Sequence, residues 1–269
     1  MHEKVGDILN SSIGEMYLGD LVTHGFDMSI EEAVENVIGG KISDINLARY
    51  GLSMVCWYLR SRYHVPLLNI GAGSRSTGNV SLRLDDDKYT IKPSGEDFRT
   101  IRPMDFIIIN KKGEKLEGEL KPSIETLLHL STYEKRPDVN AIIHTHSPNV
   151  VLLSRKEKKD LYVEDHDNKE WLAKATFVPY EKAGSKELAT AVSEALINNN
   201  VAIMEDHGLI SAYPNLGDAV DAIEVIDEEA ALRLIEITPK EERAPLRLKM
   251  VIAKHFQVPR NNQKQKKFN

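Results

Sequence analysis

Two histidines in the stretch AIIHTHS, His144 and His146, stand one residue apart directly behind a run of aliphatic residues. Side chains alternate faces along a strand, so the two imidazoles fall on one face with Thr145 opposite. At that spacing they can share one cation, although a strand with polar residues near its end reads the same way. His207, in VAIMEDHGLI, supplies a third imidazole where another apolar strand turns, and Gly208 behind it permits a sharp bend. Three neutral imidazoles with an open coordination position are the pattern of a catalytic zinc site, whereas structural zinc favours closed, cysteine-rich sites. Of the other histidines, His2 and His64 read as terminal and surface residues, and His255 lies in a polar C-terminal region.

Glu125, in KPSIETLLH, is the natural fourth group. Pro122 and Ser123 start a helix expected to run to about Lys135, which puts the carboxylate in its first turn, where the helix dipole favours the ionised form. Ordinary helix carboxylates occupy such positions too. His129 lies one turn further on the same face and reads as a helix-packing residue behind the site.

A second kind of chemistry is suggested by turns rich in glycine and hydroxyls. NIGAGSRSTGNVSLR fails as a dinucleotide fingerprint, because Ser76 stands where the third glycine belongs, and fails as a P-loop, because Asn79-Val80 follows Gly78. What survives is a loop of exposed backbone N–H groups, with Ser76, Thr77 and Asn79 as further donors, suited to an oxyanion. KPSGEDF repeats the theme with Ser94 and Gly95, and KPSIE places Ser123 at a helix N-terminus, where an anion is favoured. Each alone is an ordinary turn; together they outline an anion pocket.

These residues need a scaffold. The chain has 269 residues, 41% of them hydrophobic, enough for one large domain with an extension. A net charge of −6 argues against a general nucleic-acid binder. The single cysteine, Cys56, allows no intrachain disulfide and suits a reducing compartment. MHEKVGDILNSS lacks the apolar core of a signal peptide, and no stretch approaches the ~18 apolar residues of a membrane span, so a cytoplasmic protein without a membrane partner is expected. Helical spacing is legible over roughly Asp44 to Tyr63, and a capping box at Ser29 and Glu32 opens an earlier helix stopped by Gly39-Gly40. Strand-like segments NVSLRL, YTIKPS, DFIIIN, AIIHTH, VAIME and GLISAY alternate with helices from Ser123, from Ser185 to about Ile197, and from Leu216 to about Ile237. This predicts a layered α/β domain over 44–240, a helical extension over 1–43, and a C-terminal segment with a polar tail over 241–269.

Taken together, STGNVSLR, IKPSG, KPSIETLLHLSTYEKRPDVNAIIHTHS and EDHGLISA resemble the class II aldolase/adducin family, the group of L-fuculose-phosphate aldolase and ribulose-phosphate 4-epimerase. The resemblance runs from about Asn69 to Ile237. It implies a three-layer α/β/α domain with a largely antiparallel central sheet. It also implies a homotetramer with active sites between subunits, and a divalent metal, usually zinc, on the histidines matching His144, His146 and His207. Glu125 matches the family's acidic residue, which in the aldolases ligates the resting metal and acts as acid/base once substrate displaces it; a glutamate resembles the aldolases and an aspartate the epimerases.

The implied reaction splits a ketose 1-phosphate, or a related sugar phosphate, into dihydroxyacetone phosphate and an aldehyde through a metal-stabilised enediolate. One group takes the hydroxyl proton and another, for which Glu125 is suited, protonates carbon. For the first role the aldolases use a tyrosine at the position that, counted without gaps, is Asp165 here; the epimerases use an aspartate in this region, and Tyr162 lies close by. Two further departures stand out. Ile124 replaces a phosphate-binding serine, and no tyrosine follows Tyr213. The phosphate would rest on Ser76, Thr77, Asn79, Gly95 and Ser123 with Lys121, or a carboxylate would take its place. Epimerase, decarboxylase and dehydratase chemistry stay open alternatives, and a non-catalytic adducin-like interaction module is a further one that would be expected to have lost its metal ligands.

Overall fold

Apolar residues alternate along the strands so that each strand feeds two cores at once, and that pattern decides the architecture. In the segment Ala141–Thr145, Ala141 and Ile143 belong to one buried apolar cluster and Ile142 to another. The structure, a computed structural model, describes residues 45–63, 78–98, 100–164 and 171–239. The expected helix from Ser29, the extension over 1–43 and the tail over 241–269 lie outside them.

The strands are β1 (Gly78–Arg83), β2 (Lys88–Ile91), β3 (Ile107–Asn110), β4 (Lys115–Glu117), β5 (Ala141–Thr145), β6 (Leu161–Tyr162), β7 (Lys174–Val178), β8 (Val201–Met204) and β9 (Gly208–Tyr213). They form one sheet in the order β4-β3-β2-β1-β5-β9-β8-β7-β6. Every pair is antiparallel except β7 with β8. The helices are α1 (Ile45–Tyr63), α2 (Thr126–Lys135), α3 (Pro148–Lys156), α4 (Lys186–Ala195) and α5 (Leu216–Ile237). One face of the sheet is covered by α1, α3 and α5, through residues such as Leu52, Leu153 and Ile223 packed with Val80, Ile143 and Leu209. The opposite face carries α2 and α4, where Leu128 and Val192 pack with Ile142, Ala202 and Ile210. Burying each large aliphatic side chain contributes about 1.5–3 kcal/mol, so both outer layers are held mainly by apolar contact. This is the three-layer α/β arrangement with a largely antiparallel centre.

Local signals set the helix limits. Ser185 caps α4 by accepting from the Leu188 N–H at 3.1 Å, and Asn215 caps α5 by accepting from Asp218 N–H at 2.9 Å. Arg136 closes the far end of α4, donating to the carbonyls of Leu196 at 2.7 Å and Asn199 at 3.0 Å.

Several elements differ from the sequence reading. Helix α3 has no counterpart there, because PNVVLLSRK carries a β-branched, apolar run that masks helical spacing; its start signal is Pro148 at the first helical position. Strands β4, β6 and β7 are short or rich in polar residues and give no period-two pattern long enough to read. Helix α2 begins at Thr126, three residues later than expected, because Ser123–Glu125 form a turn in which the Ser123 carbonyl accepts from Thr126 N–H at 3.1 Å. Among the described residues no helix is long and apolar enough to cross a membrane. Cys56 is buried, and burial pushes its thiol up to about 12, far from a reactive thiolate.

Candidate metal centre and active site

β5 lies at the middle of the sheet, and its C-terminal end brings the histidines together. Alternation along β5 turns His144 to the α2/α4 face, while β1 runs beside it in a register that pairs Asn79 with His144. Two glycines make this close packing possible. Gly78 opens β1 at φ 126°, and a Cβ there would lie 2.0 Å from the His144 carbonyl oxygen. A Cβ on Gly208, at the start of β9, would lie 2.2 Å from the Thr145 carbonyl oxygen. His207 therefore reaches the site from a turn that sits directly against the end of β5.

The imidazole centroids of His144, His146 and His207 lie 4.8–5.1 Å apart. Their candidate ligand atoms all fall within 4.8 Å of one another, a group able to hold a metal ion. Glu125 is the residue immediately before α2 and does not cap it; its carboxylate is turned to the histidines instead. Glu125 Oε2 is 3.5 Å from His144 Nε2, and Oε1 is 3.5 Å from His207 Nε2. Asn79 Nδ2 donates to Oε2 at 2.7 Å.

Electrostatics disfavour protonation of His144 and His146. Burial, then the neighbouring His207, holds His144 well below its ordinary 6.5, against an opposing contribution from the Leu209 carbonyl. Burial and the two other imidazoles bring His146 down to about 3, with Glu125 pulling the other way. His144 Nδ1 donates to the Leu209 carbonyl at 2.9 Å, so the bare nitrogen is Nε2, facing Glu125. His144 Nε2 and Glu125 Oε1 are both buried without a hydrogen-bond partner. Orphaned buried polar atoms are costly, and three imidazoles beside a carboxylate are the donor set a divalent cation satisfies. The residues fit such an ion.

The remaining predicted residues fall into four sets. Two of the polar turns do meet: Pro93 bridges to Pro122, and Ser94 N–H donates to the Lys121 carbonyl at 2.9 Å. Ser94 and Gly95 are exposed there, Gly95 at φ 79°. Ser123 is buried, and its Oγ accepts from Glu125 N–H at 3.2 Å. Asn79 is buried at the site itself, with its amide bonded to Glu125 and His129. Ser76, Thr77 and Asp165 lie outside the described residues. Tyr162 is exposed on β6, four strand positions from β5, roughly 19 Å away at about 4.8 Å per strand. Sequence reasoning missed Ser81 and Tyr133, which join His129 in a buried hydrogen-bonded run behind Glu125. Their signal was weak: polar residues on the inward face of a strand and a helix.

The sequence matches the family described as class II aldolase and adducin N-terminal domain over residues 67–234. The chain belongs to this family. An L-fuculose phosphate aldolase of Methanocaldococcus jannaschii is 33% identical over 186 residues, covering 69% of this chain and 95% of that protein. A 3-oxo-tetronate 4-phosphate decarboxylase of Haemophilus influenzae is 29% identical over 165 residues, covering 58% of this chain and 75% of that protein. Among solved structures, an L-fuculose 1-phosphate aldolase superposes with a TM-score of 0.61 at 24% identity, covering 78% of this chain and 95% of that one. That structural likeness concerns the fold. Class II aldolase relatives thus carry names for more than one reaction on sugar phosphates and sugar-acid phosphates.

Proposed function

We propose that the protein is a metal-dependent aldehyde-lyase that cleaves a ketose 1-phosphate, or a closely related sugar phosphate, into dihydroxyacetone phosphate and an aldehyde. The observation that carries this reading is the buried Glu125 carboxylate, 3.5 Å from both His144 Nε2 and His207 Nε2 with Oε1 unpartnered. His144, His146, His207 and Glu125 would hold the ion, zinc being favoured by the nitrogen-rich set. When bound, the ion supplies a Lewis acid for the substrate's carbonyl and adjacent hydroxyl oxygens.

The chain's own groups do the rest. Glu125, turned toward the substrate, takes up a proton from solvent and delivers it to the carbon freed by cleavage, while Asp165 returns its proton to solvent. Ser94, Gly95 and Ser123, with Ser76, Thr77 and Lys121, bind the phosphate, and Asn79 orients Glu125. Asp165 takes the proton of the hydroxyl whose carbon becomes the aldehyde, acting on the site of a neighbouring subunit in a homotetramer. The position of Tyr162, just upstream of Asp165 and at the far edge of the sheet from β5, supports action across a subunit boundary.

The test is a panel of ketose 1-phosphates and sugar-acid phosphates assayed for triose-phosphate release. Triose phosphate released from a sugar-acid phosphate together with carbon dioxide, and with no aldehyde co-product, would favour the decarboxylase reading, which the 3-oxo-tetronate 4-phosphate relative supports. Glu125→Gln keeps the size of the side chain and removes its proton chemistry, so the rate on the accepted substrate is expected to fall ~10²–10⁴-fold. A Glu125→Gln enzyme with near-full rate would refute the assignment.

A further inference from the structure

Behind Glu125, five side chains from three elements form one buried hydrogen-bonded run. Tyr133 Oη is 2.8 Å from Ser81 Oγ, which is 2.6 Å from His129 Nδ1. His129 Nε2 bonds Asn79 Oδ1, and Asn79 Nδ2 reaches Glu125 Oε2 at 2.7 Å. All five are buried. Asn79 and Ser81 lie on the same face of β1, and His129 and Tyr133 lie one turn apart on α2. Arg83, last on β1, donates to the Tyr133 carbonyl at 2.8 Å and lays its guanidinium 5.0 Å from the Tyr133 ring centroid, fixing the outer end.

The chemistry of the donors gives this run a direction. The Asn79 amide donates through Nδ2 to Glu125 Oε2, which leaves its Oδ1 facing His129. Oδ1 only accepts, so His129 must carry its proton on Nε2. The bare Nδ1 then accepts from the Ser81 hydroxyl, and Ser81 oxygen accepts from Tyr133 O–H. Every bond points toward Glu125.

We propose that His129, locked as the Nε2–H tautomer by Ser81 and Tyr133, is a positioning residue that holds the Asn79 amide with its N–H on Glu125 Oε2. Oε1 is then the carboxylate oxygen left free toward His207. A flipped amide would set Asn79 Oδ1 against the carboxylate, two acceptors face to face, and would turn Glu125 out of line. The orientation of a group two bonds removed is thus fixed by an imidazole that touches neither metal ligands nor substrate. This inference rests on Glu125 being the proton-moving carboxylate, but its first test does not.

Imidazole ¹⁵N NMR of the full-length protein reads the tautomer directly, with His129 assigned by the signal lost in His129→Gln. His129 is expected as Nε2–H, opposite to His144, whose Nδ1 carries the proton. An Nδ1–H form or an imidazolium at His129 at neutral pH would overturn the proposal, whatever the activity. The second test compares His129→Phe, which has no donor, with His129→Gln, whose amide N–H takes the place of Nε2–H. On the substrate accepted in the panel, His129→Phe is expected to lower kcat ~10–100-fold with KM and zinc stoichiometry unchanged, and His129→Gln to recover most of that loss. Equal loss in both variants, or loss of zinc in proportion to rate, would overturn the positioning role. A panel with no substrate would count against the proposed function, while the tautomer measurement still decides this inference.

Discussion

His129 makes a sharp prediction about acid stability. Its imidazole is 1% exposed, and burial brings its pKa from the ordinary 6.5 down to about 4, with nearby Glu125 opposing the drop. The folded protein therefore binds this proton less readily than the unfolded chain does. Between pH 6.5 and about 4 the unfolded state carries the extra proton, so stability contributed by neutral His129 is complete above 6.5 and is lost as the pH falls to about 4. At about 1.4 kcal/mol per pH unit, the loss integrates to about 3 kcal/mol over that window. The perturbation is His129→Phe, which removes the group that titrates. It costs stability at all pH values by stranding Ser81 and Asn79, but that cost does not depend on pH. The assay is urea unfolding of metal-free protein at half-unit steps from pH 7 to 4, comparing slopes of stability against pH. The variant's slope is expected to be shallower by the His129 contribution, so the two curves converge by about 3 kcal/mol toward acid. Parallel curves would refute the reasoning, since every other titrating group is shared by the two proteins.

Three further outcomes are expected. Replacing His144, His146 and His207 together by alanine should abolish divalent metal retention, measured by metal analysis of purified protein, and unchanged stoichiometry would remove the site. Gly78→Ala forces a Cβ to within 2.0 Å of the His144 carbonyl oxygen at φ 126°, so we expect about 2–4 kcal/mol of destabilisation by urea midpoint together with weakened metal binding; a silent variant would show that β1 can move off β5 freely. Asp165→Asn should lower cleavage by ~10²-fold or more with metal content intact while Tyr162→Phe stays nearly silent, and the reverse result would move the proton-accepting role to Tyr162.

Much of the scaffold was legible because it obeys strong local signals. The alternation in β1, the apolar runs of β5 and β8 and the helix start at Ser185 are local to the chain, and so is the histidine–glycine pair at 207–208. His144 and His146 could be placed on one face from spacing alone. Their contact with His207 required the pairing of β5 with β9, in which Thr145 stands opposite Leu209. No local pattern states that register. Asn79 shows the limit most clearly. Its hydroxyl- and glycine-rich neighbourhood reads as an anion loop, yet its amide engages Glu125 and His129. That choice follows from its position opposite His144 across β1 and β5, a fact of tertiary pairing rather than composition.

Those same pairings explain why so much of the site is buried rather than borne on free loops. β5 has a strand on both sides, and each neighbour approaches its C-terminal end through a glycine whose missing side chain is occupied by a β5 carbonyl oxygen. Gly78 sets the height of Asn79 against His144, and Gly208 sets the turn that carries His207. The turn leading into α2 then supplies Glu125, and the helix supplies His129 one turn later, so one short stretch of chain delivers both the carboxylate and the group that orients it. The cost is a set of unpartnered buried atoms, His144 Nε2 and Glu125 Oε1, held in place by rigid neighbours. A site organised in this way could take a divalent ion with little rearrangement, because the His144 ring is aimed by its bond to the Leu209 carbonyl and the Glu125 carboxylate by the bond from Asn79.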